Sequence, residues 1–221
     1  MSIPLLRFTT STTDLSQACA VGYDPLLVAL SFSVAALATF TALRISDRLQ
    51  SVSRPVARGA WIASGAFALG SGIWAMHFIA VLALKLPFRL HFDLALTLLS
   101  PIPACLGSAI ALHVLSRPQP PFWRLNGAGL LLGLGIGAMH YSGMAAMVLD
   151  AEVRFDPVLF LASIVVAQAL ATLALFTRFG LRARLQKSAG WINGASGLIM
   201  GAAVAATHYT GMAATYFLPQ G

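Results

Sequence analysis

The sequence predicts an all-α membrane protein: six transmembrane helices, arranged as three parallel-repeated helix pairs around a pseudo-threefold axis. Three observations carry this. Of 221 residues, 58% are hydrophobic and only 10% charged, against roughly 25% charged in soluble domains, and the mean hydropathy is +0.80. Six apolar stretches are each long enough to cross a hydrocarbon layer about 30 Å thick. Every second stretch carries one histidine in a similar local sequence. Such a composition leaves no room for a sizeable extramembrane catalytic domain. Cys19 and Cys105 supply neither a disulfide framework nor Cys-x-x-Cys metal spacing.

Residues 1–22 hold one early cation, Arg7, and only a short apolar run from Ile3 to Leu6, too short for a secretory signal core. They are expected to form a short extracytoplasmic tail. The spans follow at about 25–43, 60–84, 94–115, 126–149, 157–177 and 189–217. None alternates polar and apolar residues as a barrel strand does, so each is a helix.

Charge placement orients them. The loops after the first, third and fifth spans hold Arg44, Arg48, Arg54 and Arg58, then Arg117 and Arg124, then Arg178, Arg182, Arg184 and Lys187, with Asp47 the one acid. The other side holds Arg7, Lys85, Arg89 and Arg154 against Asp14, Asp24, Asp93, Asp150, Glu152 and Asp156. The balance is +9 on the first face and −2 on the other, which together make the net +7. By the positive-inside rule the first face is cytoplasmic, and both termini face out. Topology accounts for the basic residues, so nucleic acid is not an expected partner.

The repeat is visible in both members of each pair. Before the odd spans stand Tyr23-Asp24-Pro25, Phe92-Asp93-Leu94 and Phe155-Asp156-Pro157. An aspartate N-cap with proline at the first helical position is a helix start with a mechanism. Seven and eleven residues after each aspartate come Ser31 and Ala35, Ser100 and Ala104, Ser163 and Ala167, a small-residue stripe on one helical face. The even spans align on histidine: Trp74-Ala75-Met76-His77-Phe78-Ile79, Gly137-Ala138-Met139-His140-Tyr141-Ser142-Gly143-Met144 and Ala205-Ala206-Thr207-His208-Tyr209-Thr210-Gly211-Met212. Gly70, Gly133 and Gly201 precede the histidines on the same face and are assigned to close helix packing. The repeats run at about 23–84, 92–149 and 155–217. A unit of two spans cannot invert its neighbour, so the three pairs lie parallel.

His77, His140 and His208 fall inside the apolar layer at one depth, toward the outer side. Ionisable groups there are costly and usually functional. A lone histidine could serve as a hydrogen bond between helices, but three in register point to a ligand set. Met144 and Met212 sit one turn beyond His140 and His208, while Met76 and Met139 precede their histidines by one residue. Imidazole with thioether suits copper, particularly Cu(I); His with Met also serves haem, the alternative cofactor. Tyr141, Tyr209, Ser142 and Thr210 are candidate partners of the imidazole N–H groups, and Phe78 and Ile79 make the first repeat drier. Met147 and Met200 read as packing filler. The three aspartates are assigned to capping, and His91 and His113 to the membrane interface. No zinc-protease, P-loop or nucleophile-elbow motif is present. No acid lies inside a span, which disfavours a proton-coupled pump. No enzyme activity is expected. A copper or small-solute channel and an inert helical scaffold remain alternatives on the residues alone.

The motifs Met139-His140-Tyr141-Ser142, Thr207-His208-Tyr209-Thr210 and Met76-His77-Phe78-Ile79 resemble the MHYT domain, a bacterial integral membrane sensor domain. The resemblance covers about Tyr23 to Phe217, including the threefold repetition. It implies copper held by the Met and His residues, and sensing of oxygen, carbon monoxide, nitric oxide or copper itself. It implies a bacterial inner-membrane location and a cytoplasmic signalling output, often cyclic-di-GMP enzymes. No copy reads Met-His-Tyr-Thr in full, and the first lacks both the tyrosine and the +4 methionine. The chain ends soon after the third motif, where such proteins commonly continue into a seventh span and an output domain. The expectation is an isolated sensor module or a segment cut at the domain's edge.

Overall fold

The computed structural model describes residues 6–117, 119–184 and 189–219, without the side chains of 178–189. The side chains of Arg178, Arg182 and Arg184, and all of Lys187, which carry part of the predicted basic charge, therefore lie outside what is described. The chain is mostly helical: α1 (Pro25–Leu49), α2 (Pro55–Leu82), α3 (Leu94–Leu99), α4 (Pro101–Leu115), α5 (Phe122–Ala145), α6 (Pro157–Arg184) and α7 (Ala189–Ala213). α3 and α4 together make one span, Leu94–Leu115. Among the described residues, five of the six resulting helices are long and apolar enough to cross a membrane.

At the basic end, α1, α2, α5 and α6 begin or end several residues beyond the apolar stretches, so Arg44, Arg48, Arg58 and Arg124 stand on helical turns rather than in loops. At the other end the helices stop short of the predicted span ends, and the remaining residues pair as strands. β1 (Gly22–Tyr23) pairs β2 (Leu84–Lys85), β3 (His91–Phe92) pairs β4 (Met147–Val148), and β5 (Ala151–Phe155) pairs β6 (Thr215–Pro219), all antiparallel. Each pair ties the residues before an odd span to those after the following even helix. Hydropathy did not reveal these strands, because short apolar runs look alike in strand and helix.

The aspartates do cap. The Asp24 carboxylate accepts from the Leu26 and Leu27 amides, Asp93 from Leu96, and Asp156 from Val158 and Leu159. Their own amides donate to the carbonyls of Ala83, Ala146 and Ala214 at 2.8, 2.8 and 2.9 Å. Each odd helix is thus pinned at its start to the end of the even helix of its own pair. The break between α3 and α4 has a cause as well. Pro101 has no N–H for the Thr97 carbonyl, and that carbonyl accepts instead from the Trp74 indole at 3.0 Å and the Ser100 hydroxyl at 2.9 Å.

The N-terminal stretch, expected as a tail, lies against this strand layer. Thr9 donates to the Phe155 carbonyl, the Phe155 amide to Arg7, and Cys19 to Phe217. Arg7 also meets Glu152 at 2.6 Å.

In cross-section the helices close a ring, α1–α2–α4–α5–α6–α7 and back to α1, with α2, α5 and α7 also touching one another inside it. The best spanning windows of α2 and α5 are 56% and 67% buried, against 28% for α1, α3–α4 and α6, so the histidine-bearing helices form the interior. Glycine permits this. A Cβ on Gly70 would meet the Cys105 backbone at 2.7 Å, one on Gly133 the Gln168 Cα at 2.6 Å, and one on Gly201 the Ala36 Cα at 2.7 Å. The three partners stand at the same distance in sequence from Asp93, Asp156 and Asp24, so each even helix packs on the odd helix of the next pair around the ring.

Candidate metal centre

The inner helices bring His77 (α2), His140 (α5) and His208 (α7) together, each no more than 2% exposed. The Nδ1 atom of His77 lies 3.1 Å from Nδ1 of His208 and 3.2 Å from Nδ1 of His140. The three imidazoles form the one group of metal-ligating side chains of this kind among the described residues, with one ligand atom from each within 4.8 Å of the others. The rings meet edge to face at centroid separations of 5.0 to 5.2 Å.

The Nε2 atoms are equally informative. All three are buried without a hydrogen-bond partner. Nε2 of His77 is aimed at Gly143 on α5, where a Cβ would lie 2.5 Å away. His140 is aimed in the same way at Gly211 on α7, whose Cβ would meet its Cδ2 at 2.7 Å. Gly143 and Gly211 stand three residues after the next histidine in the chain, so α5 and α7 each offer a bare backbone seat to the previous inner helix's imidazole. Both glycines stand in the histidine motifs, but close packing is expected from sequence at Gly70, Gly133 and Gly201. The first repeat has Ala80 at this place, fully buried.

A neutral imidazole has one N–H. Placed on Nε2 in all three rings, it leaves three Nδ1 lone pairs converging; placed on one Nδ1, it makes a hydrogen bond to a neighbouring ring and leaves its own Nε2 a buried acceptor without a donor. A cation at the centre relieves the first arrangement. Three nitrogens about 2.0 Å from one ion at near-tetrahedral angles stand about 3.3 Å apart, close to the two separations observed. The donor set therefore fits a metal ion.

The methionines fall in two layers. Met144 and Met212 are buried in the outer apolar cluster with Val81, Phe155 and Phe217. Met76 and Met139 lie in the inner cluster with Ile73, Ile136 and Val204. The aromatic residue after each histidine packs edge-on against it: Phe78 at 5.0 Å, Tyr141 at 4.8 Å and Tyr209 at 5.0 Å between centroids. The expected bonds to the imidazole N–H groups are not formed. The Ser142 hydroxyl donates to the Met139 carbonyl and Thr210 to Thr207, each within its own helix; short hydroxyl side chains on a helix reach their own backbone first. The Tyr141 hydroxyl meets Ser163 at 2.5 Å, while that of Tyr209 is buried without a partner. Ser163, noted in the sequence only as a small residue, is thus a polar contact of the tyrosine beside the site. His91 is exposed in β3, and His113 lies in the last turn of α4, 3.4 Å from Arg117. Neither joins the trio.

A ring of helices, five of them long and apolar enough to cross a membrane, thus surrounds a buried histidine cluster that includes no carboxylate among the described residues. The family model for the MHYT bacterial signalling protein N-terminal repeat matches residues 70–128 and 133–190, more than half of the chain. The chain belongs to the MHYT family. The two matched segments begin at Gly70 and Gly133, the packing glycines before His77 and His140.

Relatives with the same region are signalling proteins. The chain is 41% identical over 199 residues to the bifunctional diguanylate cyclase/cyclic di-GMP phosphodiesterase MucR of Pseudomonas aeruginosa, covering 88% of this chain and 28% of that protein. It is 42% identical over 193 residues to the cyclic di-GMP phosphodiesterase NbdA of the same organism, covering 87% and 24%. It is 30% identical over 199 residues to the signaling protein YkoW of Bacillus subtilis, covering 89% and 24%. The chain thus spans about a quarter of the length of these curated relatives. No solved structure matches it.

Proposed function

We propose that this chain is a membrane sensor module in which His77, His140 and His208 hold a copper ion through their Nδ1 atoms, and that a small ligand or a change in copper occupancy is the signal. The carrying observation is the convergence of three Nδ1 atoms at 3.1 and 3.2 Å with every Nε2 left without a partner. Charge favours Cu(I). The cluster contains no carboxylate, and the cost of burying net charge in a dry interior rises steeply with that charge. Neutral imidazoles around a monovalent ion leave a single positive charge, half of what a divalent ion would leave. Met144 and Met212, one turn outward, supply soft sulfur on the side nearer the strand layer.

Haem fits less well. The imidazoles are in direct contact, with no slot between them for a macrocycle. A pseudo-threefold arrangement is supported by the recurring glycine contacts and by the recurring Asp-to-Ala backbone bonds. The cations of the α1–α2 and α4–α5 connections lie at the end away from the histidines. This supports an inner-membrane protein with that end in the cytoplasm and both termini outside.

In this reading the chain's own residues couple the site to the helices. A displacement of the His77 ring presses directly on α5 at Gly143, and one of His140 presses on α7 at Gly211. Ligands that favour different ring positions therefore favour different helix arrangements. The names of the relatives suggest cyclic di-GMP turnover as the output to which such a module is joined.

Elemental analysis with an optical spectrum of protein purified in lipid tests the proposal. Copper without a Soret band is the expected result. A folded sample that contains no copper and takes up none on titration with Cu(I) would overturn it.

A further inference from the structure

The mouth of a groove opens toward the lipid between α5 and α6. It encloses about 340 Å³ and is lined by Gly137, Ala138, Tyr141, Phe160 and Ile164, among others. A Cβ on Gly137 would meet nothing within 4 Å, so the absence of a side chain there keeps the groove open rather than permitting helix contact. Its inner wall is Tyr141, whose ring lies against His140 at 4.8 Å and whose hydroxyl is held by Ser163 on α6.

The other two pairs show what this opening is not. In the first, the place of Gly137 is taken by Trp74, which packs on Phe78 and donates to both the Thr97 carbonyl and the Ser100 hydroxyl. Ser100 and Ser163 occupy the same position after their aspartates, so one serine holds a plug and the other holds the tyrosine behind an opening. In the third, Ala205 stands at that place, in a groove shared with Phe32, and the Tyr23 ring covers Tyr209 at 5.5 Å. Among the described residues, the α5–α6 groove is the one that combines a missing side chain at this place with a tyrosine held by a serine of the next helix, Phe160 packing on that tyrosine at 4.2 Å.

We propose that this groove is a lateral port through which a small apolar molecule dissolved in the bilayer reaches the histidine trio, with Tyr141 as its inner gate. The occupant is small and uncharged, because the lining is almost wholly apolar and the Tyr141 ring at its inner end packs directly on His140. Non-polar gases concentrate in hydrocarbon, so an entry from the membrane side meets them where they are most abundant. The inference rests on the copper reading for its endpoint, while the groove itself can be tested without metal.

The experiment compares the parent, Gly137→Phe, the smaller Gly137→Val, and Gly127→Phe on the same helix, where a Cβ also meets nothing within 4 Å. Reduced, copper-loaded protein in lipid nanodiscs is exposed to carbon monoxide, and association and release are followed after flash photolysis. Copper content is measured for every sample. Gly137→Phe is expected to keep its copper and its carbon monoxide affinity while association and release both slow by about tenfold or more; Gly137→Val falls between, and Gly127→Phe matches the parent. Unchanged rates in a copper-replete Gly137→Phe overturn the port and leave the metal site standing. So does a copper-replete parent that binds no carbon monoxide. A parent without copper overturns the underlying reading instead. In metal-free crystals under xenon pressure, xenon is expected beside Gly137 in the parent and not in Gly137→Phe. A groove that takes no xenon, or that holds a lipid chain xenon cannot displace, overturns the port independently of copper.

Discussion

Replacing Gly143 by alanine adds one methyl group against the site and is the sharpest perturbation the geometry offers. That carbon would stand 2.5 Å from Nε2 and 2.8 Å from Cδ2 of His77, where ordinary contact begins near about 3.5 Å. The ring must therefore retreat by about 1 Å. It has no free side to retreat to, because its Nδ1 edge already faces His208 and His140 at 3.1 and 3.2 Å. Overpacking of this kind costs about 1–3 kcal/mol, offset by up to about 1 kcal/mol of helix propensity that any Gly→Ala change gains. Gly127→Ala, also on α5 but facing open space, isolates the propensity gain. Chemical denaturation of both variants in mixed micelles should place Gly143→Ala about 1–3 kcal/mol below Gly127→Ala. A competition titration with Cu(I) should show affinity lowered by about 10–100-fold in Gly143→Ala alone, the range found when the support of a metal ligand is disturbed. Equal stability and equal copper affinity in the two variants would refute the claim that Gly143 seats the His77 ring.

Other outcomes follow from the same contacts. Gly133→Ala drives a Cβ into the Gln168 Cα at 2.6 Å; with backbone rather than a side chain in the way, it should be more damaging than Gly143→Ala, read as lost yield of folded protein. Asp156→Ala removes the acceptor of two backbone amides at the start of α6 and should cost about 1 kcal/mol, with Asp156→Asn retaining most of it, checked by thermal unfolding. Hydrogen bonds from Arg7 and Arg154 hold the Glu152 carboxyl below its ordinary value of 4.5. Its contribution is therefore complete above that value and fades as pH falls through the lowered one. Hydrogen exchange at the Thr9 and Phe155 amides should accelerate on acidification below about pH 4.5, beyond the intrinsic trend, and Glu152→Gln should show no such step.

Much of the architecture was legible because membrane helices announce themselves by length and apolarity, and because the repeat put three histidines of three helices at one depth. The aspartate caps were equally plain, since Asp before Pro at Asp24 and Asp156 states its own geometry and Asp93 stands at the same place in the repeat. The outer strands were not, because four of the six are two residues long and all of them adjoin helix ends, where short apolar runs look alike in strand and helix. The N-terminal stretch looked like a tail for a related reason: what fixes it is pairing to Phe155 and an ion pair to Glu152, both far away in sequence. At the site, hydropathy and spacing could bring the imidazoles to one depth but could not choose between their two nitrogens. That choice comes from Gly143 and Gly211, which draw the Nε2 edges toward neighbouring backbones and leave Nδ1 at the centre. Ser142 and Thr210 misled because their place beside the tyrosines suggested contact with the imidazoles, whereas both hydroxyls turn back onto their own helix.

X-ray absorption at the copper edge on the Cu(I)-loaded protein in lipid tests the central claim most directly. It should show about three nitrogen neighbours near 2.0 Å, with the imidazole signature reduced or lost in His77→Gln, His140→Gln and His208→Gln taken singly. A copper site that keeps the same neighbours in all three variants, or a folded parent that retains no copper, would contradict the account.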